Sequence, residues 1–337
     1  MIILENQSLK SLNSFGFTVK TRYMAEISED EEVIPLLKCL SPDHYPLLIL
    51  GRGSNILFTA DFPGTVIHLL TKGIKVVDET KGTVFLRIAG GETWDDFVRF
   101  CVERNWGGVE NLSMIPGTVG AAPVQNIGAY GAEIRDVAES VEAIHLGSGE
   151  KRIFTAAECG FGYRTSVFKT LFKDQYLILN VILRVSKKPE VNLDYGIIRQ
   201  ELESMQVSHP KPADVREAVC RIRRKKLPDP AALGNAGSFF KNPVIGREQF
   251  AKIAENHPSI RHYPDPDGVK IAAAWLIGQC GWKGKRAGDA GVHPGQPLVL
   301  VNHGNATGRQ ILDLATLIRQ SVYARFGILL EPEVLIL

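Results

Sequence analysis

Apolar residues along this chain fall first into short runs broken by glycine, serine and asparagine, and later into longer stretches with a helical period. The segment "PLLILGRGSNILFTADFPGTVIHL" (46–69) reads as strand, tight loop, strand. "TVFLRIAGGE" (83–92) predicts another strand that ends in a glycine pair. In "TWDDFVRFCVERN", Trp94, Phe97, Val98, Cys101 and Val102 share one helical face. Thr93, with Asp96 three residues on, predicts a capping box at the start of that helix. Strands are expected around 138–147 and 176–186, so the first half reads as mixed α and β with glycine-rich loops.

Prolines at 189, 210 and 212 and an internal "LDYG" turn mark residues 189–212 as a connection, with a domain boundary near 210. Beyond it, "DVREAVCRIRRKKL", "REQFAKIAENH" and "KIAAAWLIGQCG" carry helical patterns. In "GRQILDLATLIRQSVYARF", Ile311, Leu314, Ile318, Val322 and Phe326 form one stripe, and Gly327 is the expected stop. "ILLEPEVLIL" reads as a last strand.

A length of 337 residues exceeds what one core usually serves, so two or three domains are expected. The formal net charge of +2 points to no polyanionic partner and no nucleic acid. The basic run Arg221, Arg223, Arg224, Lys225 and Lys226 reads by itself as a solvated face. "MIILENQSLKSL" lacks the pattern of a secretory signal, and no apolar run approaches the ~20 residues of a membrane span. Five widely spaced cysteines without a C-x-x-C pair fit free thiols in a cytoplasmic protein, with no disulfide framework and no zinc site. The G-x-G-x-x-G, P-loop, H-E-x-x-H and G-x-S-x-G motifs are all missing, which disfavours a Rossmann site, a P-loop NTPase, a metal enzyme and a serine hydrolase.

The remaining chemistry is that of glycine, hydroxyl and amide. "GRGSN" (51–55) can turn several backbone N–H groups toward one anion. "IPGTVGAAPVQNIGAYG" (115–131) has four glycines, two prolines and no charge, too broken for a helix or a long strand. Gly117, Gly120, Gly128 and Gly131 allow close backbone approach to a flat or anionic ligand, and Gln125 and Asn126 offer donors and acceptors to a heteroatom ring. Together the two loops suggest a cradle for a large, phosphate-bearing cofactor.

"GRGSNIL", "NLSMIPGTVGAAPVQNIGAYGAEI", "FGYRTSVFK", "KLPDP", "GNAGSFFKNP" and "LEPEV" occur in this order over nearly the whole chain. The set resembles the UDP-N-acetylenolpyruvoylglucosamine reductase family, and the segment with "LDYG" resembles the tyrosine loop of its first type. The resemblance implies an α+β, vanillyl-alcohol-oxidase-like FAD-binding fold of two subdomains plus a C-terminal α+β substrate domain. It divides the chain into 1–188 for FAD, 189–210 as the tyrosine-loop connection, 211–326 for substrate, and 327–337 as a strand with the catalytic glutamate. FAD, bound non-covalently, falls to Gly51, Arg52, Gly53, Ser54 and Asn55, and to Pro116, Gly117, Thr118, Gly120, Ala121, Gln125, Asn126, Gly128, Ala129 and Tyr130. Family enzymes take a hydride from NADPH onto FAD and deliver it to the terminal carbon of an enolpyruvyl ether, while a proton goes to the adjacent carbon. UDP-N-acetylglucosamine enolpyruvate is the implied substrate, and a monomer is expected.

The resemblance also places the catalytic roles. Arg164 would grip the substrate carboxylate, Ser238 would donate the proton, and Glu333 would be the catalytic glutamate, with Glu331 as its rival by register. Substrate binding falls to Tyr195, Arg223, Lys226, Asn242, Tyr263 and Gln296. Where the family commonly has arginine two residues after the glutamate, this chain has Leu335. Two alternatives are a flavin oxidase of the same superfamily acting on a small alcohol, and a flavin- or nucleotide-binding protein without catalysis. The first need not carry "GNAGSFFKNP" or the basic helix, and the second leaves Arg164, Ser238 and Glu333 unexplained.

Overall fold

The computed structural model describes residues 2–337. The chain forms two compact units. One comprises the residues up to Gln7, Thr21–Arg52 and Pro63–Lys225; the other comprises Ser8–Lys20, Gly53–Phe62 and Lys226–Leu337.

The first unit holds two larger sheets and a two-stranded one that pairs Gly128–Ala129 with Ala132–Glu133. In the four-stranded one the order is Ile3–Ser8, Lys20–Ile27, Phe62–Leu69, Leu47–Leu50, with the last two strands parallel. The other larger sheet is antiparallel, in the order Lys151–Thr155, Ala138–His145, Tyr176–Ser186, Thr83–Ala89, Ile74–Glu79. Its long central strand is nearly continuous in apolar residues because both of its faces are covered. Leu177 and Leu179 pack with Val33 and Leu36 of the helix Val33–Cys39. Ile178, Val181, Leu183 and Val185 pack with the helix Trp94–Val102, whose five expected apolar residues are all buried.

The capping box expected at Thr93 does not form. Asp96 pairs instead with Arg99 at 2.8 Å, and the Thr93 hydroxyl lies 3.4 Å from Arg52 Nη1. Residues 189–212 are also more than a connection. They contain the helix Gly196–Ser204, whose Ile198 and Leu202 pack against Val215, Ala218, Val219 and Ile222 of the helix Pro212–Lys226. That apolar contact keeps most of the basic helix in the first unit, and the division falls at Lys225/Lys226 rather than near 210.

The second unit is built on an antiparallel sheet in the order Gly234–Ser238, Val299–Asn302, Ala290–Val292, Arg286–Ala287. Residues 8–20 join it early in the sequence: Asn235 N–H donates to Ser14 O at 3.0 Å and Asn302 Nδ2 to Phe15 O at 3.0 Å. The helix Gly308–Phe326 has both of its ends specified. Thr307 and Gln310 exchange hydrogen bonds at its start, and Gly327 closes it in the left-handed conformation at φ 65°. The helix expected from Lys270 starts only at Ala273, because Gly268–Ile271 is a strand paired with His262–Asp265. The expected last strand shrinks to Leu335–Ile336, parallel to Ile56–Leu57.

Candidate active site

The two glycine loops meet within the first unit. A Cβ at Gly51 would lie 2.7 Å from Thr118 Oγ1, so only glycine lets the first loop's backbone sit so close to the Thr118 side chain, and a Cβ at Gly120 would lie 3.1 Å from the Gly90 backbone. The loop 115–131 contains two short 3₁₀ turns, Val119–Ala121 and Pro123–Gln125, and left-handed residues at Asn126 (φ 45°) and Tyr130 (φ 51°). Its near end is fixed by Val119 N–H to Glu92 O and Gly120 N–H to Gly90 O, each at 2.8 Å. Such a sequence of tight turns explains why the stretch lacks charge and regular pattern. It presents backbone closely packed on backbone, with Thr118 buried beside Gly51. This suits a cofactor whose diphosphate and uncharged ring are held by peptide groups. Of the first loop, Gly53, Ser54 and Asn55 belong to the second unit.

Asn126, expected to face the cofactor, is turned inward. It is fully buried, its Nδ2 donates to Glu133 Oε2 at 2.8 Å and Gly162 O at 2.9 Å, and its Oδ1 accepts from Arg135 N–H at 3.2 Å. Both amide hydrogens are thus used within the protein.

Arg164 occupies a tight turn in which Gly162 and Thr165 exchange backbone hydrogen bonds at 3.1 and 3.2 Å. Its φ of 54° is left-handed, a conformation that costs a non-glycine residue about 1 kcal/mol or more. The guanidinium Nη2 donates to Gly128 O at 2.7 Å, which carries the arginine to the glycine loop.

Tyr130 and Tyr195 meet edge to face, with ring centroids 5.5 Å apart. Beside Tyr130 lies the guanidinium of Arg223, whose Nε is buried without a hydrogen-bond partner among the described residues. Burial pushes the Arg223 pKa down, against the pull of Tyr130 and Cys220. An orphaned cationic donor of this kind is costly and marks a place for an anion. The helix that carries it is anchored by Arg216, which holds Asp95 at 2.6 and 2.8 Å. Burial works against ionisation of Asp95, but Arg216 and the Met114 N–H outweigh it and hold the carboxyl below its ordinary pKa.

In the second unit the segment of Glu333 lies beside the strand that ends at Ser238. The strand Gly234–Ser238 shifts register between Asn235 and Ser238, and Gly237 sits there at φ 68° with its N–H on Asn235 Oδ1 at 2.9 Å. A bulge just before Ser238 redirects its side chain relative to the strand. On the next residue, Phe239 O accepts the Glu333 N–H at 2.8 Å, and Asn55 Nδ2 donates to Glu333 O at 3.2 Å. Glu331 is exposed and pairs with Lys241 at 3.2 Å. We therefore expect Glu331→Gln to leave turnover almost unchanged, since an exposed pair is worth about 0–1 kcal/mol. Glu333→Gln should slow turnover severely. Steady-state rates of the two variants decide the register, and the reverse ranking would transfer the role to Glu331.

The other substrate candidates of this unit stand apart in character. Asn242 Oδ1 accepts the Ala273 N–H at 2.9 Å, which fixes the start of the helix Ala273–Gln279. Burial and the nearby Arg261 lower the Lys226 pKa. Tyr263 is exposed on the hairpin strand His262–Asp265, and Gln296 is held by its N–H on His293 Nδ1 at 3.1 Å. Leu335, where the family commonly has arginine, is an exposed strand residue paired with Ile56.

Two residues that sequence reasoning passed over join the turn of Arg164 to the glycine loop. Ser166 Oγ donates to Val124 O at 2.7 Å, and Lys169 Nζ lies 3.4 Å from both Gln125 Oε1 and Arg164 O. Their signal was a serine and a lysine flanking the apolar pair Val167 and Phe168, close behind Arg164.

Residues 21–153 match the model of an FAD binding domain, and residues 229–337 match the C-terminal domain of UDP-N-acetylenolpyruvoylglucosamine reductase. The glycine loops and this match define the protein as an FAD-dependent oxidoreductase. The UDP-N-acetylenolpyruvoylglucosamine reductase of Pseudomonas syringae is 49% identical over 327 residues, covering 97% of this chain and 96% of its own. That of Flavobacterium johnsoniae is 46% identical over 99% of both chains. The crystal structure of the Thermus caldophilus reductase has the same fold, with a TM-score of 0.71 at 23% identity over 99% of each chain. The chain belongs to the UDP-N-acetylenolpyruvoylglucosamine reductase family. The match over residues 229–337 favours this assignment over a small-alcohol oxidase.

Proposed function

We propose that this enzyme reduces UDP-N-acetylglucosamine enolpyruvate to UDP-N-acetylmuramate for peptidoglycan precursor synthesis, with FAD bound non-covalently and NADPH as donor. The observation that carries the reading is the hydrogen bond from Glu333 N–H to Phe239 O, which seats the glutamate's segment beside the bulge that precedes Ser238, in a chain of this family. When bound, FAD supplies the hydride chemistry, from NADPH to the terminal enolpyruvyl carbon. Arg164 holds the substrate carboxylate through its two-pronged guanidinium and offsets the negative charge that develops there. Ser238 donates the proton to the adjacent carbon, and Glu333 assists at that step.

Arg223, with its orphaned Nε, meets the diphosphate, as does Lys226. Tyr195 contributes an exposed ring to the nucleotide, and Asn242, Tyr263 and Gln296 complete substrate binding. Gly51, Gly53, Gly117 and Gly120 with their neighbours hold FAD by backbone. The enzyme acts as a monomer in the cytoplasm, where its five cysteines, all free, stay reduced. No helix of the described residues is long and apolar enough to cross a membrane.

The purified protein should be yellow and release its flavin on acid or heat treatment. FAD at ~100 times its dissociation constant should stabilise the apoprotein by about 2.7 kcal/mol in a thermal melt. A colourless protein that gains no stability from FAD would refute the cofactor assignment. Flavin binding without any turnover of the enolpyruvyl substrate would refute the proposed reaction.

A further inference from the structure

The turn that carries Arg164 is fastened to the glycine loop at four nearly successive loop residues. Ser166 Oγ reaches Val124 O at 2.7 Å, Lys169 Nζ reaches Gln125 Oε1 at 3.4 Å, Asn126 Nδ2 reaches Gly162 O at 2.9 Å, and Arg164 Nη2 reaches Gly128 O at 2.7 Å. Lys169 does one thing more than the others. From the same Nζ it also reaches Arg164 O at 3.4 Å, so a single ammonium faces the loop and the backbone of the arginine itself. That backbone is in the left-handed conformation at φ 54°, which an arginine does not adopt without restraint from its surroundings.

We propose that Lys169 is a positioning residue for the reaction: its ammonium draws together Gln125 Oε1 and Arg164 O and so fixes where the Arg164 guanidinium points. Lys169 itself touches neither substrate nor cofactor in this scheme. It links the state of the glycine loop to the placement of the arginine, so that an ordered loop yields an ordered guanidinium. Asn126 and Ser166 complete the same seam from the buried side. This inference rests on the role given to Arg164 above, because a residue that positions an idle arginine positions nothing.

Rapid mixing of the FAD-loaded enzyme tests it by separating reduction by NADPH from reoxidation by the enolpyruvyl substrate. Lys169→Met should slow reoxidation ~10–100-fold, the scale of a misplacement of about 1 Å, and should slow reduction far less. Lys169→Arg, which keeps a cationic donor, should recover most of the loss. Amide hydrogen exchange of residues 162–167 in the loaded enzyme should accelerate in Lys169→Met and return toward wild type in Lys169→Arg.

The decisive comparison is the double variant with Arg164→Lys. If Lys169 acts through Arg164, adding Lys169→Met to Arg164→Lys should slow reoxidation little further. Multiplicative slowing, equal slowing of both half-reactions, or unchanged reoxidation would each overturn the proposal. A wild-type rate in Arg164→Lys alone would instead overturn the role of the arginine, a failure visible before Lys169 is considered. Should Lys169→Met fail to retain FAD, Ser166→Ala removes one hydroxyl from the same seam and faces the same comparison.

Discussion

Ser238→Ala will divide the reaction in two. Flavin absorbance should bleach with NADPH at a near-normal rate, because no proton from Ser238 is needed at that stage. Its return on anaerobic addition of the enolpyruvyl substrate should be slower by ~10²–10⁴-fold, the usual contribution of a positioned proton donor. The substitution removes a single oxygen at a half-buried position and leaves the bulge intact, since the register shift rests on Gly237 and the Asn235 side chain rather than on the hydroxyl. Equal slowing of both half-reactions would mean that Ser238 serves the structure of the strand. Normal reoxidation would mean that the proton comes from another group.

The second large effect is expected at Arg164. Lysine preserves the positive charge but offers a compact ammonium in place of a planar fork, so the carboxylate loses its paired donors. Turnover should fall by about 10²–10³-fold, as when one donor to a developing anion is removed. The backbone cost of the left-handed turn is similar for arginine and lysine, and the Gly162–Thr165 hydrogen bonds do not involve the side chain. The hydrogen bond from Arg164 Nη2 to Gly128 O is at risk and is worth about 1 kcal/mol, so the melting temperature should fall by no more than a few degrees and FAD content should stay near wild type. The kcat of the variant, measured with its FAD content, decides the matter, and a value within a few-fold of wild type would remove Arg164 from the chemistry.

Much of the fold was legible where one local signal sufficed. The helix Gly308–Phe326 declared itself by its apolar stripe and by Gly327, and the helix Trp94–Val102 by five residues on one face. Its capping box was misread because Asp96 had a competing partner in Arg99, three residues on the same surface. The helix Gly196–Ser204 was hidden by the prolines around it, although Ile198 and Leu202 carry a helical spacing.

At the site, composition and motif order pointed to the glycine loops, Ser238 and Glu333. They could not reveal whether an amide faces a ligand or the protein. Asn126 has the right chemistry for either, and only its burial against Gly162 and Glu133 shows the second. Lys169 was equally silent, because its meaning lies in a contact 44 residues away at Gln125.

The early segment 8–20 has a consequence for synthesis on the ribosome. Phe15 and Phe17 stack at 5.0 Å and are buried in the finished protein, and Phe15 O accepts from Asn302, which lies 287 residues further on. Translation at about 5–20 residues per second leaves that segment waiting roughly 15–60 s before its partner emerges. Throughout that interval two aromatic rings have no native cover from the late sheet. A nascent chain paused after residue 225 should accordingly be held by chaperones at this segment, and residues 226–337 released alone should aggregate or be degraded unless a peptide spanning 8–62, which carries both of the unit's early segments, is supplied.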